Sequence, residues 1–180
     1  ASNSNISIKE TLVADDINKL VIIEEGAVVL ESRYVLEAVR KLEGELIAIE
    51  IIDGSMTRIS GNHAEYTING SKADLFPNID FTKPVDQFQI PGFKLAELIS
   101  QTAFVCSNSE NRPIFTGVNF KASGNKMTVV STDSYRLAKK TIELDTEMDF
   151  NITIPASNLY EVVKSVADNS DVIVCVSDKL

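Results

Sequence analysis

The sequence predicts an α+β fold. It is built from a repeated β-α-β-β-β unit, with helices on one face of a largely antiparallel sheet. Three observations carry this. First, three segments share one plan: G-A-V-V-L-E-S-R-Y-V-L-E-A-V-R-K-L from Gly26, D-Q-F-Q-I-P-G-F-K-L-A-E-L-I from Asp86, and F-N-I-T-I-P-A-S-N-L-Y-E-V-V-K-S-V from Phe150. Each reads as a short strand, a corner and an amphipathic helix of about three turns. Second, strand-like runs joined by Gly, Asn and Asp turns follow the first two, and such turns join antiparallel neighbours. Third, the repeat implies helices packed on one side of a sheet.

In chain order, Ser4 to Val13 alternates apolar and polar residues and reads as a strand, broken by Asp15-Asp16 and Asn18. Leu20 to Ile23 is a short apolar segment, a strand or bulge, and Gly26 to Leu30 is a second strand. Ser32 is the expected N-cap of a helix whose apolar stripe is Val35, Leu36, Val39 and Leu42, and Gly44 stops it. Strands follow at Leu46 to Ile52, Ser55 to Ser60 and Ala64 to Ile68, joined by turns at Asp53-Gly54 and Gly61-Asn62. The Pro-, Asn- and Asp-rich stretch from Asn69 to Pro84 reads as a boundary, giving domains 1–80 and 81–180.

The second half begins with a strand at Gln87 to Ile90 and a corner at Pro91-Gly92. A helix then buries Leu95, Leu98, Ile99 and Thr102. After the loop Ser107 to Arg112 come three strands. The first carries Ile114, Val118, Phe120 and Ala122. It turns at Ser123-Gly124-Asn125 into Met127, Val129 and Val130. The corner Thr132-Asp133-Ser134 then leads to Tyr135 through Ile142. Phe150 to Ile154 is a strand, Pro155 starts a helix with Leu159, Val162, Val163 and Val166 on its stripe, and Val172 to Val176 is the last strand.

The chain has 180 residues, 44% hydrophobic and 24% charged, which is ordinary globular composition. No apolar run approaches the ~20 residues that span a bilayer, and no signal peptide opens the chain. Both ends look cut, so a piece of a longer protein is expected. Cys106 and Cys175 stand alone, outside any C-x-x-C, and read as buried free thiols in a reducing, cytoplasmic setting. With one His they offer no metal site. The net charge of −9 speaks against nucleic acid only if it is spread evenly, because binding depends on where charges sit.

Catalytic chemistry finds little footing. His63, the only histidine, lies in the turn G-N-H-A-E with no nucleophile or carboxylate pairing around it. Ser131, Thr132 and Ser134 lie near Asp133 but lack a histidine partner. No Gly-rich phosphate loop is present and no cofactor is implied. Arg33 and Arg40 share a helix face opposite the apolar stripe, with Lys41 adjacent. Lys94 and Lys164 hold comparable outward positions on the other two helices. The plain alternative is a solvated face on which Glu37 pairs with Arg33 or Lys41.

N-R-P-I followed by F-T-G-V-N-F, then V-S-T-D-S-Y-R-L-A, closely resembles the middle domain of the bacterial sliding clamps, the β subunits of DNA polymerase III. L-F-P-N-I-D at Leu75 to Asp80 matches that family's passage from its first to its second domain. The resemblance covers nearly the whole chain and implies a DNA-clamp fold. It implies the C-terminal part of domain one over 1–80, a truncated domain two over 81–180, and no third domain. It also implies a non-catalytic processivity factor, linked to DNA-directed DNA polymerase by membership alone. Such a factor encircles duplex DNA as a head-to-tail homodimer and tethers the polymerase catalytic subunit, the clamp loader and other motif-bearing proteins.

The resemblance also assigns residues. Arg33, Arg40, Lys94, Arg112 and Lys164 stand where the family's inner helices and a loop meet phosphate without base readout. Helix three starts Ala156-Ser157-Asn158 where some relatives carry Arg and Lys, and Pro113 and Ile114 replace two tyrosines of some relatives. Phe115, Thr132, Tyr135, Arg136 and Leu137 match one half of a pocket for a short Leu- and Phe-ended motif. Tyr135 stands where relatives often have His and Phe115 where some have Leu. The other wall would come from residues past Leu180. Tyr66 and Ile68 match the dimer interface. Two rival readings stay open: an interaction scaffold of the same fold without DNA binding, which the acidic charge favours, and a small-molecule enzyme on an α+β fold.

Overall fold

Residues 1–3, 5–15, 17–167 and 169–177 are described by the computed structural model. Ser4, which opens the first expected strand, and Asp16 of the expected break lie outside them. The chain divides into two units, Ala1–Asp80 and Phe81–Leu180.

In the first unit, β1 (Val28–Val29) precedes helix α1 (Ser32–Lys41). The antiparallel strands β2 (Ala48–Asp53), β3 (Met56–Ser60) and β4 (Glu65–Asn69) follow. β5 (Ser71–Lys72) returns to pair with β1. The core is Ala38 of α1 against Ile59 and Ile68, with Leu30, Val35, Leu42 and Tyr66 packed around it. Burial therefore runs through Val35, Ala38 and Leu42. The expected stripe is rotated, because Leu36 and Val39 lie on the exposed flank.

Several boundaries differ from expectation. Glu31, not Ser32, is the N-cap of α1, and no side chain caps it. The helix ends at Leu42, whose N–H still bonds to Ala38 O, before Gly44 takes its left-handed φ of 127°. The stretch expected to be only a boundary holds β5 and a 3-10 turn, Ala73–Leu75. Among the described residues the strand expected over Ser4–Val13 does not form, and no strand forms at Leu20–Ile23, where a strand or bulge was expected. A single bridge, Ser2 to Ser7, is all that pairs there among the described residues. Alternation alone makes no strand; a ladder and a surface to bury against are also needed. Ile8, Leu12, Val21 and Ile23 are exposed.

In the second unit, β6 (Gln87–Pro91) pairs antiparallel with β9 (Asp171–Cys175). α2 (Gly92–Thr102) buries Leu95, Leu98, Ile99 and Thr102, the four residues its periodicity marks. Gly92 is needed where α2 begins: a Cβ there would lie 2.6 Å from the carbonyl oxygen of Ala167. A 3-10 turn, Ala103–Val105, continues α2. A second, Pro113–Thr116, stands where a strand through Ile114 was expected. The chain becomes extended only from Gly117, where its alternating core residues begin. β7 (Gly117–Thr132), β8 (Leu137–Pro155) and α3 (Ala156–Ser165) complete the unit.

β7 and β8 are antiparallel, but neither runs straight. The thiol of Cys106 donates to the carbonyl oxygen of Gly117 at 3.4 Å, and four residues earlier the carbonyl oxygen of Thr102 accepts from the Ser131 hydroxyl, so one helix end holds both Gly117 and Ser131. In one extended strand those two residues would be about 46 Å apart. β7 therefore doubles back midway, at the exposed run Ser123–Lys126. Gly124 has φ of 59° and supplies the conformation a two-residue turn needs at its first central position. Folded there, Val118 comes opposite Ser131, Phe120 opposite Val129 and Ala122 opposite Met127, and all six are buried. β8 borders this hairpin on both sides. Thr132 to Lys126 pair with Leu137 to Glu143, and Gly124 to Gly117 with Met148 to Pro155. The expected three strands joined by tight turns are thus present, with a fourth arm along the first.

The Gly124 turn yields a prediction. A Cβ at this position would meet nothing within 4 Å, so substitution acts through backbone conformation alone. Gly124→Val is expected to lower stability by roughly 1–2 kcal/mol. Gly124→Asn, which tolerates positive φ, is expected to cost clearly less. Urea unfolding of both variants checks this; equal effects would argue against a turn here.

Candidate functional site

The corner between β7 and β8 gathers four of the five residues assigned to partner binding. Asp133 organises it as an Asx turn. Its Oδ1 accepts from the backbone N–H of Tyr135 and of Arg136, each at 3.0 Å. Its Oδ2 accepts from Arg136 Nε at 2.9 Å. The Thr132 hydroxyl donates to Arg136 O at 2.8 Å and accepts from Ser134 N–H at 3.1 Å. Ser134 holds φ of 78°, which only such a bonded corner makes tolerable for a residue with a Cβ. Partial desolvation pushes the Asp133 carboxyl up. The bonds from the Arg136 and Tyr135 amides and the Arg136 charge outweigh it and leave the group below the usual carboxylate range.

This network fixes Arg136, and its guanidinium carbon sits 5.8 Å from the centre of the Phe104 ring. Around it the corner presents apolar surface: Leu137 is 63% exposed, Tyr135 96% and Phe104 57%. Leu137 is thus no core residue. It sits at the first rung of β8, opposite Thr132. Phe115 lies in the 3-10 turn just before β7, where its carbonyl accepts from Ser107 N–H at 2.8 Å. Because β7 doubles back, the start of that strand is beside its end, and Phe115 is at the same end of the sheet as the corner.

The turn that Asp133 closes is the one its residues predict, but Phe104 escapes a reading of the sequence alone. Phe104 directly follows the last turn of α2, where an aromatic reads as core. A buried Phe is the usual outcome, and only the cation–π contact marks this one as surface.

The assigned basic residues are all exposed, on three helices and one 3-10 turn. On α1, Arg33 Nε contacts Glu37 Oε1 at 3.2 Å, the i,i+4 pairing of a solvated face. Arg40 lies in the last turn with Lys41, where the helix dipole favours cations. On α3, Lys164 Nζ contacts Glu161 Oε1 at 2.7 Å. On α2, Lys94 stands in the first turn. Its neighbour Glu97 is committed elsewhere, to Lys140 Nζ at 3.1 Å and Gln101 Nε2 at 2.9 Å. Those contacts hold the Glu97 carboxyl below its usual range. Arg112 caps the second 3-10 turn, 6.0 Å from the Phe115 ring centre.

Tyr66 and Ile68 point to the same side of β4, but they differ in availability. Ile68 is 8% exposed and belongs to the core under α1. Tyr66 is half-buried and lines a groove of about 410 Å³ between α1 and β4, with Tyr34, Glu37 and Lys41 on its helical wall. Both cysteines are free, but half-buried rather than buried as expected. Among the described residues no group of His, Cys, Asp and Glu converges as a metal would require, and no helix is long and apolar enough to cross a membrane.

The comparisons with known proteins agree with one another. Residues 89–180 match the model of the DNA polymerase III beta subunit, central domain, and residues 1–80 that of its N-terminal domain. The Beta sliding clamp of Bacillus subtilis is 37% identical over 176 residues, covering 96% of this chain and 47% of that protein. That of Staphylococcus aureus is 33% identical, covering 94% and 46%. The chain therefore spans about half the length of the curated relatives it matches. The crystal structure of the Bacillus subtilis DNA polymerase sliding clamp superposes with a TM-score of 0.82 at 35% identity, over 88% of this chain and 42% of that one. A putative DNA polymerase III beta subunit from Eubacterium rectale gives 0.80 at 29%, over 88% and 44%. With its two halves matching successive domains of one protein in the right order, the chain belongs to the DNA polymerase III beta subunit family, the sliding clamps.

Proposed function

We propose that this chain forms the latter part of the first domain and most of the second domain of a cytoplasmic replication clamp. The complete protein is a ring-shaped homodimer around duplex DNA. It tethers the DNA polymerase III catalytic subunit, the clamp loader and other motif-bearing proteins, and raises processivity by effective concentration rather than by chemistry of its own. The observation that best supports this is the Asp133 corner. A rigid, hydrogen-bonded turn there presents exposed Leu137 beside an oriented Arg136, as a receptor for a short motif with apolar anchors requires. In this reading Phe115, Thr132, Tyr135, Arg136 and Leu137 form one wall of that receptor. Arg33, Arg40, Lys94, Arg112 and Lys164 hold phosphates. Tyr66 meets the neighbouring subunit, and Ile68 supports it from within the core.

The scaffold reading keeps one specific observation in its favour. Two of the five basic residues, Arg33 and Lys164, are already paired with carboxylates, on a chain of net charge −9.

The two readings separate on DNA. In the full-length protein, reversing Arg33, Arg40 and Arg112 to Glu is expected to abolish processive synthesis and leave the melting temperature nearly unchanged. Each phosphate that is no longer neutralised should make the salt dependence of DNA binding shallower by about 0.9 in log–log slope. Unchanged processivity would favour the scaffold. Leu137→Asp places a charge where an apolar anchor would dock. It is expected to weaken a Leu-Phe motif peptide by roughly 2 kcal/mol or more in calorimetric titration, with DNA encirclement retained. Because Leu137 is exposed, the variant should fold. Normal peptide affinity in a folded variant would remove Leu137 from the receptor.

A further inference from the structure

Two of the five candidate phosphate-binding cations share a detail that a high-affinity site would avoid. Arg33 and Lys164 are each held by a glutamate one helical turn away, Glu37 at 3.2 Å and Glu161 at 2.7 Å. Both pairs are well exposed: the side chains are 77% and 52% accessible in the first, 70% and 61% in the second. Such pairs add little to stability. Their consequence for a polyanion is larger. A cation that leaves its carboxylate for a phosphate strands that carboxylate beside the DNA. The stranded carboxylate must then take up a cation from solution, which cancels part of the counterion release that drives binding.

We propose that Glu37 and Glu161 are competitive guards. They hold Arg33 and Lys164 in reserve, so that each phosphate contact is made and broken at small net gain. A ring that must slide needs contacts that are individually weak. A cation that can return to its carboxylate as it leaves one phosphate meets a lower barrier to the next than a cation left bare between them. The contrast within the molecule supports this: the direct contacts of Glu97 on α2 go to Lys140 and Gln101 and hold its helix to β8, and Lys94 acts on it through its charge alone.

The inference rests on the DNA-binding reading above, and its test separates the two. Binding of the full-length protein to a mixed-sequence DNA duplex is measured by fluorescence anisotropy over a salt series. Three proteins are compared: wild type, Glu37→Gln with Glu161→Gln, and Arg33→Gln with Lys164→Gln, with thermal melting of each as the control for folding. Removing both guards is expected to tighten binding about fourfold, roughly twofold for each pair released, and to steepen the salt slope by up to about 0.9 for each freed cation. Removing the cations is expected to weaken binding and flatten the slope. If the cation variant weakens binding and the guard variant matches wild type in affinity and slope, the guard inference is overturned and DNA binding stands. If the cation variant itself matches wild type, Arg33 and Lys164 do not meet DNA, and the guard inference fails along with that assignment.

Discussion

The second unit depends on how the end of α2 is tied to the β7 hairpin. Thr102 is buried at the last turn of α2, and its carbonyl accepts the Ser131 hydroxyl, also buried. One turn later the Cys106 thiol donates to the Gly117 carbonyl, at the other end of the doubled strand. Buried polar groups are costly unless paired. Here the two strand ends and the helix end satisfy one another, which fixes their relative placement more sharply than apolar packing would. Desolvation keeps the Cys106 thiol above its ordinary range, so this contact persists as a neutral hydrogen bond.

The position of the Asp133 corner follows from that tie. Ser131 is two residues before Asp133, and Phe104 is two residues after Thr102. Clasping Ser131 to Thr102 therefore brings the ring of Phe104 beneath the guanidinium of Arg136. Lys140, farther along β8, reaches back to Glu97 and Gln101 on the same helix, so α2 grips the outer arm of the sheet as well. A corner on a free hairpin would swing. This one is held by the core at one end and by an Asx turn at the other, so its exposed Leu137 and Tyr135 are presented in a fixed attitude. A surface held in this way has no ordering cost of its own left to pay on contact.

Much of this is legible in the sequence, and the exceptions share a cause. The α2 stripe, the turn at Gly124 and the corner at Thr132–Ser134 are local: each needs only the residues within one turn of it. What escapes is settled by distant partners. The alternation from Ile6 to Val13 is as good as that of β3, yet β3 lies between two strands and under α1, whereas the terminal stretch has one bridge. Phe104 reads as core until Arg136, thirty-two positions on, is seen to lie over it. The α1 stripe is displaced from its expected position for the same reason. Its composition allows two adjacent apolar faces, and only Ile59 and Ile68 decide which is buried.

That ambiguity in α1 has a geometric origin. Cross-strand register puts Ile49 beside Ile59 and Ile51 beside Thr57, so β2 presents two isoleucines on the face that α1 covers. Ile59 and Thr57 are fully buried, whereas Ile49 is 60% exposed and Ile51 36%. A helix is about 10 Å across and strands lie about 4.8 Å apart, so one helix covers roughly two strands. α1 covers β3 and β4, and Leu36, Val39, Ile49 and Ile51 stay exposed outside that cover. The second unit meets the same demand with two helices, α2 and α3, packed side by side on its sheet. The first unit carries a sheet face patterned for the same width beneath a single helix. This is why its helix looks amphipathic over too broad an arc, and why its innermost residues are few while those of the second unit form one continuous core.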